Sequence, residues 1–166
     1  MKTTTFALVM GIAYLAAGIL GLVPAALQSP PADAPPTNLT FLYGYLLGLF
    51  PVNIAHSAVH MAIGAWGLAA ARDTATAQMY SRSLAIIYGL LAVMGLIPGL
   101  NTFFGMLPIH GHDVWLHAGT AALAAYFGWR DVKKERRTAA DRRQRMLPVA
   151  RERRLGLADR RHMAYS

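Results

Sequence analysis

Among the first 129 residues only six carry a formal charge: Lys2, Arg72 and Arg82 against Asp33, Asp73 and Asp113. A water-soluble domain of that length needs far more charge to cover its surface. The sequence instead offers four apolar spans, at about 6–27, 52–71, 83–98 and 113–129. Each is close to the ~20 residues that cross a bilayer. The expectation is an all-α fold: a four-transmembrane-helix bundle.

Charge orients it. From Arg130 onward the chain holds 13 Lys/Arg and 5 Asp/Glu, so the whole net charge of +8 belongs to this tail. With four spans, Lys2, Arg72, Arg82 and the tail share one side. The loops 28–51 and 99–112 on the other side contain no Lys or Arg. The positive-inside rule then puts both termini in the cytoplasm, with a membrane domain over 1–129 and a basic cytoplasmic tail over 130–166. The tail reads as a solvated extension able to contact anionic lipid headgroups. It lacks aromatic interleaving, so no nucleic-acid partner is expected. There are no cysteines, which removes thiolate metal sites and covalently attached haem.

The spans repeat. Gly48-Leu-Phe-Pro51-Val-Asn53 with His56 and His60 returns as Gly105-Met-Leu-Pro108-Ile-His110 with Asp113 and His117, at a constant offset of 57. Tyr14, Gly21 and Pro24 return as Tyr88, Gly95 and Pro98, at an offset of 74. The first span could pass for a cleaved leader, but a removed leader has no reason to share its pattern with a retained helix. The reading is two tandem helix-pair repeats, about 6–71 and 79–129, related by a pseudo-two-fold axis along the membrane normal.

Between the spans, residues 28–38 form a proline-rich connector. Leu39 to Phe50, apolar but too short to span, reads as a short interfacial or re-entrant helix with Tyr43 and Tyr45 at the membrane boundary. Pro51 suits the first turn of the second helix. Residues 72–82 read as a polar turn.

Asn53, His56 and His60 fall on one face of the second helix; His110, Asp113 and His117 fall on one face of the fourth. Exposing such groups to hydrocarbon costs several kcal/mol, so both faces should point inward. The repeat pairs them as three rungs: Asn53 with His110, His56 with Asp113, His60 with His117. The deepest lies about 9 residues, or roughly 13 Å, below Pro51, which puts the ladder in the outer half of the bundle.

Three readings follow. The leading one is structural, with His56–Asp113 as a buried pair and the other rungs closing a polar network. In the second, His56, His60, Asp113 and His117 bind a transition metal, or His60 and His117 are axial ligands of a b-type haem. The third is a proton or small-solute path. No catalytic residue stands out, because Ser57 directly follows His56 and so points elsewhere on the helix. Small-residue faces such as Gly11/Gly18 permit self-association, and equally permit packing within one chain.

These motifs, together with Gly95-Leu-Ile-Pro98, Leu107-Pro108 and Asp113-Val-Trp-Leu-His117, resemble a bacterial family of small four-helix integral membrane proteins classified as a domain of unknown function. The resemblance runs from about Phe6 to Trp129. It implies a multi-pass protein of the bacterial inner membrane and no activity. His110 and His112 depart from that pattern. The arrangement is also loosely similar to DoxX-type four-helix membrane proteins, without a specific motif.

Overall fold

The structure is a computed structural model that describes residues 1–130. It is mostly helical. α1 (Thr3–Leu20) leads through a 3-10 turn (Pro24–Ala26) into β1 (Leu27–Gln28). A long loop then reaches β2 (Gly44–Leu46) and β3 (Phe50–Val52). α2 (Ile54–Ala70) and α3 (Thr74–Gly95) follow, and α4 occupies 112–130 after a run of turns. The basic tail beyond residue 130 lies outside the described residues.

α1 and α2 run antiparallel in close contact, because glycines remove the side chains between them. A Cβ built on Gly64 would lie 2.6 Å from the backbone nitrogen of Leu15 and 2.8 Å from the carbonyl oxygen of Gly11. One on Gly11 would lie 2.7 Å from the nitrogen of Leu68. Gly18 meets Ser57 and Met61 in the same way, so Gly11 and Gly18 are spent on packing inside one chain. α4 closes on the start of α1 and on α3. The Thr3 hydroxyl donates to the carbonyl of Phe127 (3.2 Å), and Arg82 Nε donates to that of Gly128 (2.9 Å). Phe6 stacks on Phe127 at 4.6 Å. The core of Phe6, Tyr14, Tyr80, Leu84, Tyr88 and Phe127 fills the interior.

Polar side chains share the interior with the apolar core, and many large apolar side chains face outward. Buried positions include Asn53, His56, Ser57, His60, Ser81, Asp113, His117 and Thr120. Outward positions include Val9, Ile12 and Ile19 on α1, Ile86, Leu90 and Val93 on α3, and Trp115 and Leu123 on α4. α1 is long and apolar enough to cross a membrane by length and composition, and α2 is an apolar helix of 17 residues.

Several boundaries differ from the sequence reading. Leu39–Phe50 is not a helix: β2 pairs antiparallel with both β1 and β3, with Tyr45 opposite Gln28 and Pro51. The hairpin turns through Leu47 (φ 54°) and Gly48 (φ 71°), a left-handed pair that breaks any helix there. Pro51 sits in β3, an edge strand whose missing N–H leaves no ladder bond unmade, and not in the first turn of α2. α2 begins at Ile54, capped by Asn53. α3 begins at Thr74 rather than Ser83, because Asp73 caps it: its carboxylate accepts from the Thr76 N–H (3.0 Å) and hydroxyl (2.6 Å). Those bonds hold the Asp73 carboxyl below the usual carboxylate range. His110 precedes α4 rather than lying on it.

Candidate metal centre

The end of the bundle opposite Thr3 and Arg82 is closed by the two long connections, 21–53 and 96–111, bonded to each other. The carbonyl of Gly105 accepts from the Asn38 N–H (2.8 Å), the Leu39 N–H (3.3 Å) and the Thr37 hydroxyl (2.7 Å). Gly105 holds φ 83°, and a Cβ there would lie 2.5 Å from the Asn38 amide, so a side chain is excluded twice over. The fully buried Asn53 amide donates to the carbonyls of Leu39 (3.1 Å) and Met106 (2.8 Å), while its oxygen accepts the His56 N–H (2.9 Å).

Beneath this cap, the first turn of α2 supplies His56 and its second turn His60; α4 supplies Asp113 and His117 from its first two turns. All four are buried. The rung expected between His56 and Asp113 is a close approach, Nδ1 to Oδ2 at 3.9 Å. That is too long for a hydrogen bond. Three of the four expected metal ligands converge: one donor atom from each of His56, Asp113 and His117 lies within 4.8 Å of the other two. His60 stands outside this set, one turn below, with its ring 4.5 Å from that of His56.

The set is held from below by aromatic rings. Tyr88 packs edge-on to His117 (5.0 Å), Tyr14 packs on His60 (5.3 Å), and the two tyrosines pack on each other (5.3 Å). The Tyr14 hydroxyl donates to Thr120 Oγ1 at 3.5 Å. The rung expected between Asn53 and His110 is not formed. Asn53 spends its amide on the loops and the helix cap, and His110 faces Tyr45, ring to ring at 6.3 Å. Burial in the cap pushes the His110 imidazole below its ordinary range and the Tyr45 hydroxyl up to about 12. His112, the first residue of α4, is exposed.

Each of His56, His60, Asp113 and His117 carries a buried polar atom without a partner. His56 Nδ1, His117 Nδ1, His60 Nδ1 and Asp113 Oδ2 make no hydrogen bond. Leaving a buried polar atom unpaired costs about 1–3 kcal/mol, and His56, Asp113 and His117, which converge, each carry one. Two imidazoles and a carboxylate at this separation are a donor set for a borderline divalent ion.

A family described as a domain of unknown function, DUF4383, matches residues 4–130. The chain belongs to that family. The DUF4383 domain therefore includes all four described helices, the cap and every residue of the His/Asp set, and stops where the basic tail begins. No curated protein and no solved structure matches the chain.

Two parts of the site escaped the sequence reading. One is the role of Asn53 as the pin of the cap, because its acceptors are backbone carbonyls. The other is the tyrosine floor: Tyr14 and Tyr88 are visible as repeat mates, but nothing in their spacing puts them against His60 and His117.

Proposed function

We propose that the chain is an integral membrane protein of four spanning helices that binds one divalent transition-metal ion through His56, Asp113 and His117. The exposed faces support the membrane assignment: large apolar side chains face outward on helices whose inward faces carry histidine, aspartate and threonine among the core residues. The contacts of Thr3 and Arg82 with α4 support one charged end shared by Lys2, Arg72 and Arg82. By the positive-inside rule that end is cytoplasmic, and the cap faces outward. The tail would then lie against the anionic inner leaflet. The two helix pairs read as tandem repeats of one unit.

The observation that carries the metal reading is the convergence of three buried ligand residues, each with a buried polar atom that has no hydrogen bond. A purely structural polar network would pair those atoms with one another. The 3.9 Å approach of His56 to Asp113 is the one feature that favours it. A b-type haem between His60 and His117 is a poorer fit, since a porphyrin there would have to displace the packed rings of Tyr14 and Tyr88. With two nitrogens, one carboxylate and no thiolate, the donor set suits Zn(II), Fe(II), Co(II) or Mn(II) rather than Cu(I).

The test is metal content by mass spectrometry on protein purified in mild detergent without a histidine tag, before and after loading with each ion. About one ion per chain is expected. It should be lost in His117→Ala and Asp113→Asn while helical content by circular dichroism is retained. A well-folded protein that takes up none of these ions would return the cluster to the structural reading.

A further inference from the structure

We infer that the metal site keeps an open coordination position, filled by a small exogenous donor such as water or a two- or three-atom anion, and that His60 positions that donor by hydrogen bonding. This rests on the metal reading above and concerns what else the ion binds. Three protein donors leave a four-coordinate ion one position short, and the arrangement of three ligands plus an open position is that of reactive rather than purely structural sites.

Most neighbouring polar groups are already engaged and supply no fourth protein ligand. The Asn53 amide is spent on Leu39, Met106 and the cap of α2. The Tyr14 hydroxyl donates to Thr120. The Ser57 hydroxyl lies toward α1, so close to Gly21 that a Cβ there would overlap it. His60 remains. Its donor atoms fall outside the set within 4.8 Å, yet its ring is 4.5 Å from that of His56 and its Nδ1 has no partner. That places an imidazole beside the ion, where it can hydrogen-bond a group already on the metal.

The enclosure limits the size of that group. Tyr14 and Tyr88 close the floor at ring separations of 5.0–5.3 Å, and the loops pinned by Asn53 close the roof. His117 and Asp113 are each 2% exposed. A ligand with more than a few heavy atoms would have to open the cap or displace a tyrosine.

Co(II)-loaded protein gives the readout, because its visible bands report coordination number and ligand exchange. Azide titrated into Co(II) protein in detergent should shift those bands saturably. His60→Ala should bind Co(II) nearly as well as the natural chain and bind azide about tenfold more weakly or worse, the loss expected for one hydrogen bond to an anion. His60→Gln, which restores an N–H donor, should recover most of the azide affinity. If Co(II) binds and azide leaves its spectrum unchanged, the open position is refuted while the metal site stands. If His60→Ala loses Co(II) as completely as His117→Ala does, His60 is the fourth ligand and the inference falls. If Co(II) does not bind at all, the metal reading fails and takes this with it.

Discussion

At position 53 a single amide joins three parts of the chain. Its oxygen starts α2 by accepting the His56 N–H, and its nitrogen holds the backbone of both outer loops. Each bond contributes about 1 kcal/mol, and the groups orphaned by its removal are buried. Asn53→Ala should therefore destabilise the protein by about 2–4 kcal/mol. Unfolding by denaturing detergent would measure it, with faster proteolysis between residues 28 and 51 as the local sign. Unfolding and cleavage unchanged from the natural chain would mean that the cap is held elsewhere. Asn53→Asp is the sharper variant. It keeps the acceptor that caps α2 and loses both donors, so it should loosen the loops while leaving the helix start intact. The His/Asp set itself was legible, since His56 and His60 are one turn apart and their repeat mates fall 57 residues on. Asn53 was placed among them for the wrong reason. Sequence spacing marks side chains that share a helix face, but the partners of Asn53 are carbonyls of Leu39 and Met106, which no side-chain pattern records.

Among the elements, α1 and α2 depend on having nothing between them. Gly64→Ala would drive a methyl group into the backbone of Leu15 and Gly11 at 2.6–2.8 Å, where no flexible side-chain end can yield on the backbone side. The helices must separate, and the loss should be in the range of about 1–3 kcal/mol for an overpacked core. Gly119 on α4 is the control, because a Cβ there meets nothing within 4 Å. Gly119→Ala should be neutral, or stabilising by up to about 1 kcal/mol from helix propensity. Equal effects of the two substitutions on unfolding would contradict the α1–α2 contact. The helices were legible because their apolar runs are long. The strands were not: two or three residues carry no period, and Leu39–Phe50 is apolar throughout. The signs were Gly44, Gly48 and Pro51, which favour a hairpin with an edge strand over a helix. The start of α3 was hidden for the opposite reason. Its first turns are polar, and only the Asp73 cap followed by Thr76 announces it.

For the molecule as a whole, the proposed topology would decide which compartment supplies the proposed ion. Asp113 is the second residue of α4 and His117 lies one turn further in, so the ion would sit within roughly 10 Å of the capped end. The segments covering it, 28–51 and 99–110, contain Asp33 as their only formal charge, so a cation approaching from that side meets no fixed positive charge there. The opposite end carries Lys2, Arg72 and Arg82, and the helices are closely packed on the way through. Absence of cysteine makes the orientation simple to measure, since every introduced thiol is unique. Ala32→Cys in the outer loop and Ala75→Cys at the start of α3 both place a thiol at an exposed position. A membrane-impermeant maleimide on intact cells should label the first and spare the second until the membrane is permeabilised. The reverse pattern would turn the cap toward the cytoplasm, and the ion would then have to come from the intracellular pool. Labelling of both in intact cells would remove the membrane barrier between the two ends, leaving the outward apolar faces of α1, α3 and α4 to be covered by protein instead of lipid.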